Sequence, residues 1–261
     1  MSKIPGPAGM LYVDDGGAGG VPVLFVHSLA GNTRQWAAQL AHLRPGRRAV
    51  ALDARGHGLS DPPTDADYSI PSLAADVWAV ADALGLERVV LVGHSMGGTV
   101  AIACAAACPE RAAGLLLVDP NGDQRRLPAD LIAGFQAALE SPAYTETIRT
   151  HWHRITAGGN PDVRAMVVRD LEGTPRTAVV EIFRALSAFD PLPALARYTG
   201  PRLSLITALN ETPIGLHRLV TDLPHRLVPG TGHWMQMDRP DVFNLLLDEF
   251  LAGVAAGVAH A

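Results

Sequence analysis

Ser95 stands between two glycines in GHSMG (93–97), where the branched apolar run VVLVG (89–93) gives way to an alanine-rich stretch that continues to Pro109. That change of composition marks a buried strand turning directly into a helix. A G-x-S-x-G pattern in such a turn forces the serine backbone into an unfavourable region, and glycines without Cβ atoms let strand and helix approach. The hydroxyl is then presented at the carboxyl end of the strand, beside helix N-terminal amides that favour developing negative charge. Such a serine is suited to nucleophilic attack, and it needs a base to take its proton. Of the ten histidines, His233 in the glycine-rich PGTGHWMQMDRP lies after the last strand-like run and downstream of the serine. It is the expected base. His57 and His94 are expected to hold loops by hydrogen bonding. His151 and His153, which flank Trp152, either line a pocket or face solvent.

The elements that must position these groups alternate. Strand-like runs at 21–27, 48–53, 89–93, 114–119, 202–207 and 225–229 are separated by helical patterns at 33–43, 72–85 and 96–108, with a last one at 241–254. Ser72 is the expected N-cap and Gly85 the stop of the second of these helices. The runs are apolar on both faces, as buried parallel strands must be, so the expected fold is α/β: a mostly parallel sheet with helices on both faces. Between 121 and 198 the rhythm breaks into four consecutive helix candidates, each opened by a proline and with no strand between them. The expected organisation is a core of 1–120 and 199–261 interrupted by a helical layer of 121–198. Leu, Ile, Ala, Phe and Val beside Tyr144 and Trp152 in that layer predict an apolar pocket for a modest acyl or ring group.

With 48% hydrophobic residues and 261 positions, the chain is long enough to bury a substantial core. The net charge of −5 and the scattered Lys and Arg argue against nucleic acid or an anionic membrane surface as partner. The N-terminus has no apolar signal core and no run suits a bilayer span, which predicts a cytoplasmic protein. Cys104 and Cys108, four apart on one helix, are expected to be small buried hydrophobes rather than a disulfide.

FVHSLAGN, LDARGHGLSD, GHSMGG and PGTGHW, in that order, make nearly the whole chain resemble the α/β-hydrolase family. The resemblance implies an oxyanion hole made by the backbone N–H groups of Leu29 and Met96, and a helical cap formed by 121–198. Where many members have His-Gly, this chain has His27-Ser28. HSLAGNTRQW is similar to the Ser-Leu-Gly version of 3-oxoadipate enol-lactonases, which implies lactones and small esters as substrates. Ser28, Trp152 and Trp234 are expected to line the substrate pocket. Members usually place an aspartate shortly after the strand corresponding to RLSLIT. Here the text is TALNETP, so Glu211 is the expected acid of the triad, with Asp119, at the end of GLLLVD, as the alternative. The resulting expectation is hydrolysis of a small-molecule carboxylic ester or lactone through an acyl-enzyme, without metal or cofactor. The alternatives are a C–C bond hydrolase or perhydrolase on the same triad, or a hydrolase-like ligand receptor with little turnover.

Overall fold

The computed structural model describes residues 2–257. The chain begins with strands β1 (Ser2–Gly6), β2 (Gly9–Gly16) and β3 (Val23–Val26), then helix α1 (Ala37–Leu43), strand β4 (Ala49–Leu52) and helix α2 (Ile70–Ala83). Strand β5 (Val89–His94), helix α3 (Met96–Ala107) and strand β6 (Ala112–Val118) follow. After them come five helices without an intervening strand: α4 (Ala129–Glu140), α5 (Tyr144–Ile155), α6 (Pro161–Glu172), α7 (Arg176–Ala188) and the short α8 (Pro191–Ala196). The chain then returns to the sheet through β7 (Arg202–Ile206), α9 (Leu216–Leu219) and β8 (His225–Leu227), and ends in α10 (Met235–Asp238) and α11 (Pro240–Ala255).

The strands of the described residues form one sheet in the order β1-β2-β4-β3-β5-β6-β7-β8. β1 to β4 are joined by antiparallel ladders through β2, and every pairing from β4 to β8 is parallel. The N-terminal hairpin was not expected from the sequence, because Pro5, Gly6 and Gly9 dilute its alternation of Leu11 and Val13 inward. Strand residues two apart share a face, and the buried side chains divide accordingly. Val23, Phe25, Ala49, Ala51, Val90 and Val92 pack with α1 and α11 in one layer. Leu24, Val26, Val50, Leu52 and Leu91 pack with α2, α3 and the helices after β6 in the other.

The strand order reverses around β3, whose neighbours are β4 on one side and β5 on the other. In a doubly wound sheet this opens a crevice beyond the carboxyl ends of the two strands. The turn after β4 is fixed by buried charge. Arg55 makes a bidentate pair with Asp76 of α2, at 2.6 and 2.7 Å, and Asp53 accepts from the Thr33 and Leu59 amides at 2.6 and 2.8 Å. The N-cap of α2 lies three residues before the expected one: Ser69 is the cap and its hydroxyl accepts from the Ser72 amide. Pro71, which needs no amide partner, fits the first turn and moves the start there. Cys104 and Cys108 are both free, Cys104 buried within α3.

Side-chain hydrogen bonds tie the helices between β6 and β7 back to the core. Arg34, before α1, reaches Asp170 of α6 at 2.6 Å. Asp238 of α10 accepts from Asn160, at the start of α6, at 2.9 Å and from Gly232 at 2.7 Å. None of the described helices is long and apolar enough to cross a membrane.

Three fully buried histidines make stability depend on pH. Burial holds the imidazoles of His27 and His57 down to about 4 and about 3, and that of His94 well below its ordinary value, so all three are neutral in the native state. Unfolded, each takes up a proton near its ordinary value of about 6.5. Depressed native values mean that the stabilisation is complete above that pH and is lost as pH falls toward the native values. Asp53 and Asp76, whose carboxyls are raised by burial, act in the opposite sense nearer the carboxylate range. Between about pH 7 and pH 5 the histidines dominate, and each is expected to cost up to about 2 kcal/mol of unfolding free energy. Urea unfolding at the two pH values checks this, and replacing His57 with Gln should flatten the dependence.

Candidate active site

The reversal at Ser95 is as tight as the glycine spacing implies. Ser95 has φ 53° and ψ −115°, a conformation that a residue with a side chain adopts only under constraint. The constraint comes from both sides. Its amide is bonded to the Val118 carbonyl of β6 at 3.0 Å, and its carbonyl accepts from Gly98 at 2.9 Å. A Cβ on Gly93 would lie 2.1 Å from the Gly97 carbonyl oxygen, and one on Gly97 would lie 2.2 Å from the Val26 carbonyl oxygen. Met96 opens α3, where the first amides have no partner within the helix.

His233 meets an acid, but not the one expected. Its Nδ1 lies 2.6 Å from Oδ2 of Asp119, one residue beyond the end of β6. Asp119 has φ 43°, a left-handed conformation that aspartate tolerates better than most residues, and this aims its carboxylate across the end of the sheet. The carboxylate is fully buried and well supplied with donors: the Thr207 amide at 2.7 Å, the Thr207 hydroxyl at 2.9 Å and His233. Asn210 donates to the Asp119 carbonyl at 3.2 Å. Glu211 ends the 3-10 turn Ala208–Asn210, and that turn throws its side chain outward, where it pairs with Arg218 at 2.9 Å. The expectation that Glu211 orients His233 is therefore corrected to Asp119.

The segment after β3 is held by hydrogen bonds with no local signature in the sequence. His27 accepts from the Ala54 amide at Nε2, at 2.9 Å, so its proton is on Nδ1, which donates to the Ser28 carbonyl at 2.7 Å. Ser28 donates its hydroxyl to Gln35 at 3.0 Å and accepts from the Trp234 indole at 3.2 Å. The serine that replaces the commoner glycine thus joins the Leu29 loop to the loop of His233. His94 is the second such tie. Its Nε2 must carry the proton, because it is 2.8 Å from the His233 carbonyl oxygen, while Nδ1 accepts from Gln236 at 3.3 Å.

Ser28, Leu29, Ser95, His233, Trp152 and Trp234 line one cavity of about 920 Å³. Its lining is mainly apolar, as expected, with one polar stretch. Helices α4 and α7 contribute Leu131, Phe135, Phe183 and Leu186, whereas α5 contributes Thr147, Thr150, His151 and Arg154. His151 lines the cavity, while His153 is exposed and bonded to Arg164.

The sheet order, the strained serine and the buried Asp119–His233 pair together define a hydrolase fold, and residues 21–240 match the family model described as the alpha/beta hydrolase fold. The chain belongs to the α/β-hydrolase family. It is 32% identical to the putative carbamate hydrolase RutD of Variovorax paradoxus, over 94% of this chain and 97% of that protein. It is 30% identical to the sn-1-specific diacylglycerol lipase ABHD11 of Mus musculus, over 91% of this chain and 83% of that one. Among solved structures, Est816, described as an N-acyl homoserine lactone degrading enzyme, superposes with a TM-score of 0.78 at 27% identity, covering 95% of this chain and all of its own.

The two acids make a direct comparison. A carboxylate that fixes the histidine tautomer and stabilises the imidazolium is worth up to about 10⁴ in kcat when neutralised without a change of shape. Asp119→Asn is expected to show a loss of that order, and Glu211→Gln to change kcat by less than about twofold, since its partner is a surface arginine. Steady-state ester hydrolysis, with folding followed by circular dichroism, checks both.

Proposed function

We propose that the protein is a cofactor-independent serine hydrolase of carboxylic esters or lactones, with Ser95 as nucleophile, His233 as base and Asp119 as the orienting acid. The observation that carries this reading is the 2.6 Å contact between His233 Nδ1 and Asp119 Oδ2, beside a strained serine that opens on the same cavity. A carboxylate only accepts, so Nδ1 carries the imidazole proton and Nε2 is left with a lone pair. The Ser95 hydroxyl gives its proton to that nitrogen as its oxygen attacks the substrate carbonyl carbon. The oxygen that becomes negative is received by the backbone N–H groups of Leu29 and Met96, donors fixed before the reaction and worth several kcal/mol together. The tetrahedral species collapses, the carbon–oxygen bond to the leaving group breaks, and the leaving alkoxide takes the proton back from His233. Water then repeats the sequence on the acyl-enzyme, giving up its proton to His233, which returns it to Ser95.

Residues 121–198 act as a cap in this reading, closing over the crevice and supplying the walls that contact the acyl group. The named activities of the relatives favour acyl chemistry: a lipase and a carbamate hydrolase in sequence, a lactone-degrading enzyme in structure.

An activated serine reacts rapidly with organophosphonates. A single adduct on the peptide containing Ser95 is the expected result, read by mass spectrometry; an adduct elsewhere, or an active enzyme with none, refutes the nucleophile. Ser95→Ala is expected to lower kcat for aryl esters and lactones by about 10³ to 10⁶ while leaving the far-ultraviolet circular dichroism unchanged.

A further inference from the structure

The cavity wall made by α5 is unlike the rest. Thr147, Thr150, His151 and Arg154 recur at helical spacing and all face the cavity, opposite apolar residues of α4 and α7. A polar stripe on a helix ordinarily faces bulk water; here it also lines the open cavity beside the reacting groups, with Thr147 and His151 half-buried and Thr150 and Arg154 exposed. One of its members is locked in place. The His151 ring lies 5.5 Å from Phe135, 5.3 Å from Phe183 in an edge-on contact, and 5.7 Å from Trp152, measured between ring centroids. Arg154 donates to His151 Nδ1 at 3.3 Å, which leaves the ring proton on Nε2. Among the described residues no protein group is bonded to that Nε2–H.

We infer that His151 is a specificity-determining donor, whose Nε2–H binds a second carbonyl or amide oxygen carried by the acyl chain of the substrate, away from the bond that is cleaved. The inference rests on the hydrolase reading above and adds the substrate class to it: esters or lactones with an additional neutral acceptor. Neutrality follows from the surroundings. Burial, the Arg154 guanidinium and His233 hold the His151 imidazole down to about 4, so near neutral pH it offers a hydrogen bond and no charge. Glu146 on the same wall opposes a carboxylate. A ring already clamped by three aromatic neighbours loses little freedom on binding, which gives such a donor its leverage. A chain without an acceptor would leave the N–H dry and unpaired, and sites built to hydrogen-bond discriminate against that kind of ligand.

The test compares wild type, His151→Phe and His151→Gln, each checked by circular dichroism. The substrates are p-nitrophenyl alkanoates and matched keto-acyl p-nitrophenyl esters with the ketone at successive chain positions. The readout is the ratio of kcat/KM for each keto ester to that of its parent, which a merely structural role for His151 would not move. For at least one ketone position the wild-type ratio is expected to be about tenfold. It should fall to about one in His151→Phe and be partly restored in His151→Gln, whose amide can donate. A wild-type ratio near one at every position, or a preference undiminished in His151→Phe, overturns the assignment. So does a stronger preference for the p-nitrophenyl hemiester of glutaric acid, which would place the selection on the Arg154 charge. Organophosphonate labelling separates the two levels of failure: a labelled Ser95 with no keto preference counts against His151 alone, whereas an unlabelled protein that turns over no ester takes the hydrolase reading and this inference down together.

Discussion

Three backbones meet at Ser95 with no room between them. Gly93 faces the Gly97 carbonyl and Gly97 faces the Val26 carbonyl, each at a separation that a single added carbon would fill. This steric closeness fixes more than the angle of one turn. It sets the spacing between the strand that carries the serine, the helix whose first amides lie beside it and the strand that leads into Leu29. The switch of strand order around β3 supplies the crevice, and the close approach decides where in that crevice the hydroxyl stands.

The remaining site groups are attached to that point by hydrogen bonds that are almost all buried and almost all bridge distant parts of the chain. Asp119 binds Thr207 and His233, His94 binds the His233 carbonyl, and Ser28 binds Trp234. Each bond joins, at the carboxyl edge of the sheet, segments that are far apart in the chain. In a buried setting such bonds are costly to break singly, because the orphaned partner stays desolvated. The loops are therefore held mutually, without a disulfide or a long covalent crosslink.

The parts of this arrangement that were legible in the sequence were those with a local cause. β3, β5 and β6 are apolar on both faces and read as buried strands; Ser95 announces itself through Gly93 and Gly97; His233 through its glycine-rich setting after the last strand. Asp119 ranks second to Glu211 in the sequence, because what brings it to His233 is not local. Its left-handed backbone and its bond to Thr207, 88 positions further on, have no signature in the nearby text, while the offset of Glu211 from its strand resembled a familiar spacing. The β1–β2 hairpin was missed because its prolines and glycines interrupt the alternation that marks a strand. The polar face of α5 left His151 undecided between pocket and solvent for the same reason that amphipathic reading works elsewhere: a pattern distinguishes polar surroundings from apolar ones, not a lined cavity from bulk water.

With Asp119 at the end of β6 holding the histidine, the loop from 208 to 215 is relieved of supplying a charge. It contributes Leu209, Asn210, Thr212, Pro213 and Ile214 to the cavity wall; Asn210 also donates to the Asp119 carbonyl, and Thr207, just before the loop, binds the carboxylate. Wall and carboxylate are thus carried by different segments of chain and can change independently. For anyone reshaping the cavity, residues 211–214 are the place where length and composition are separable from the contacts of His233: insertions there alter the cavity's volume, while Asp119 and His94, which bond His233, lie at the ends of β6 and β5.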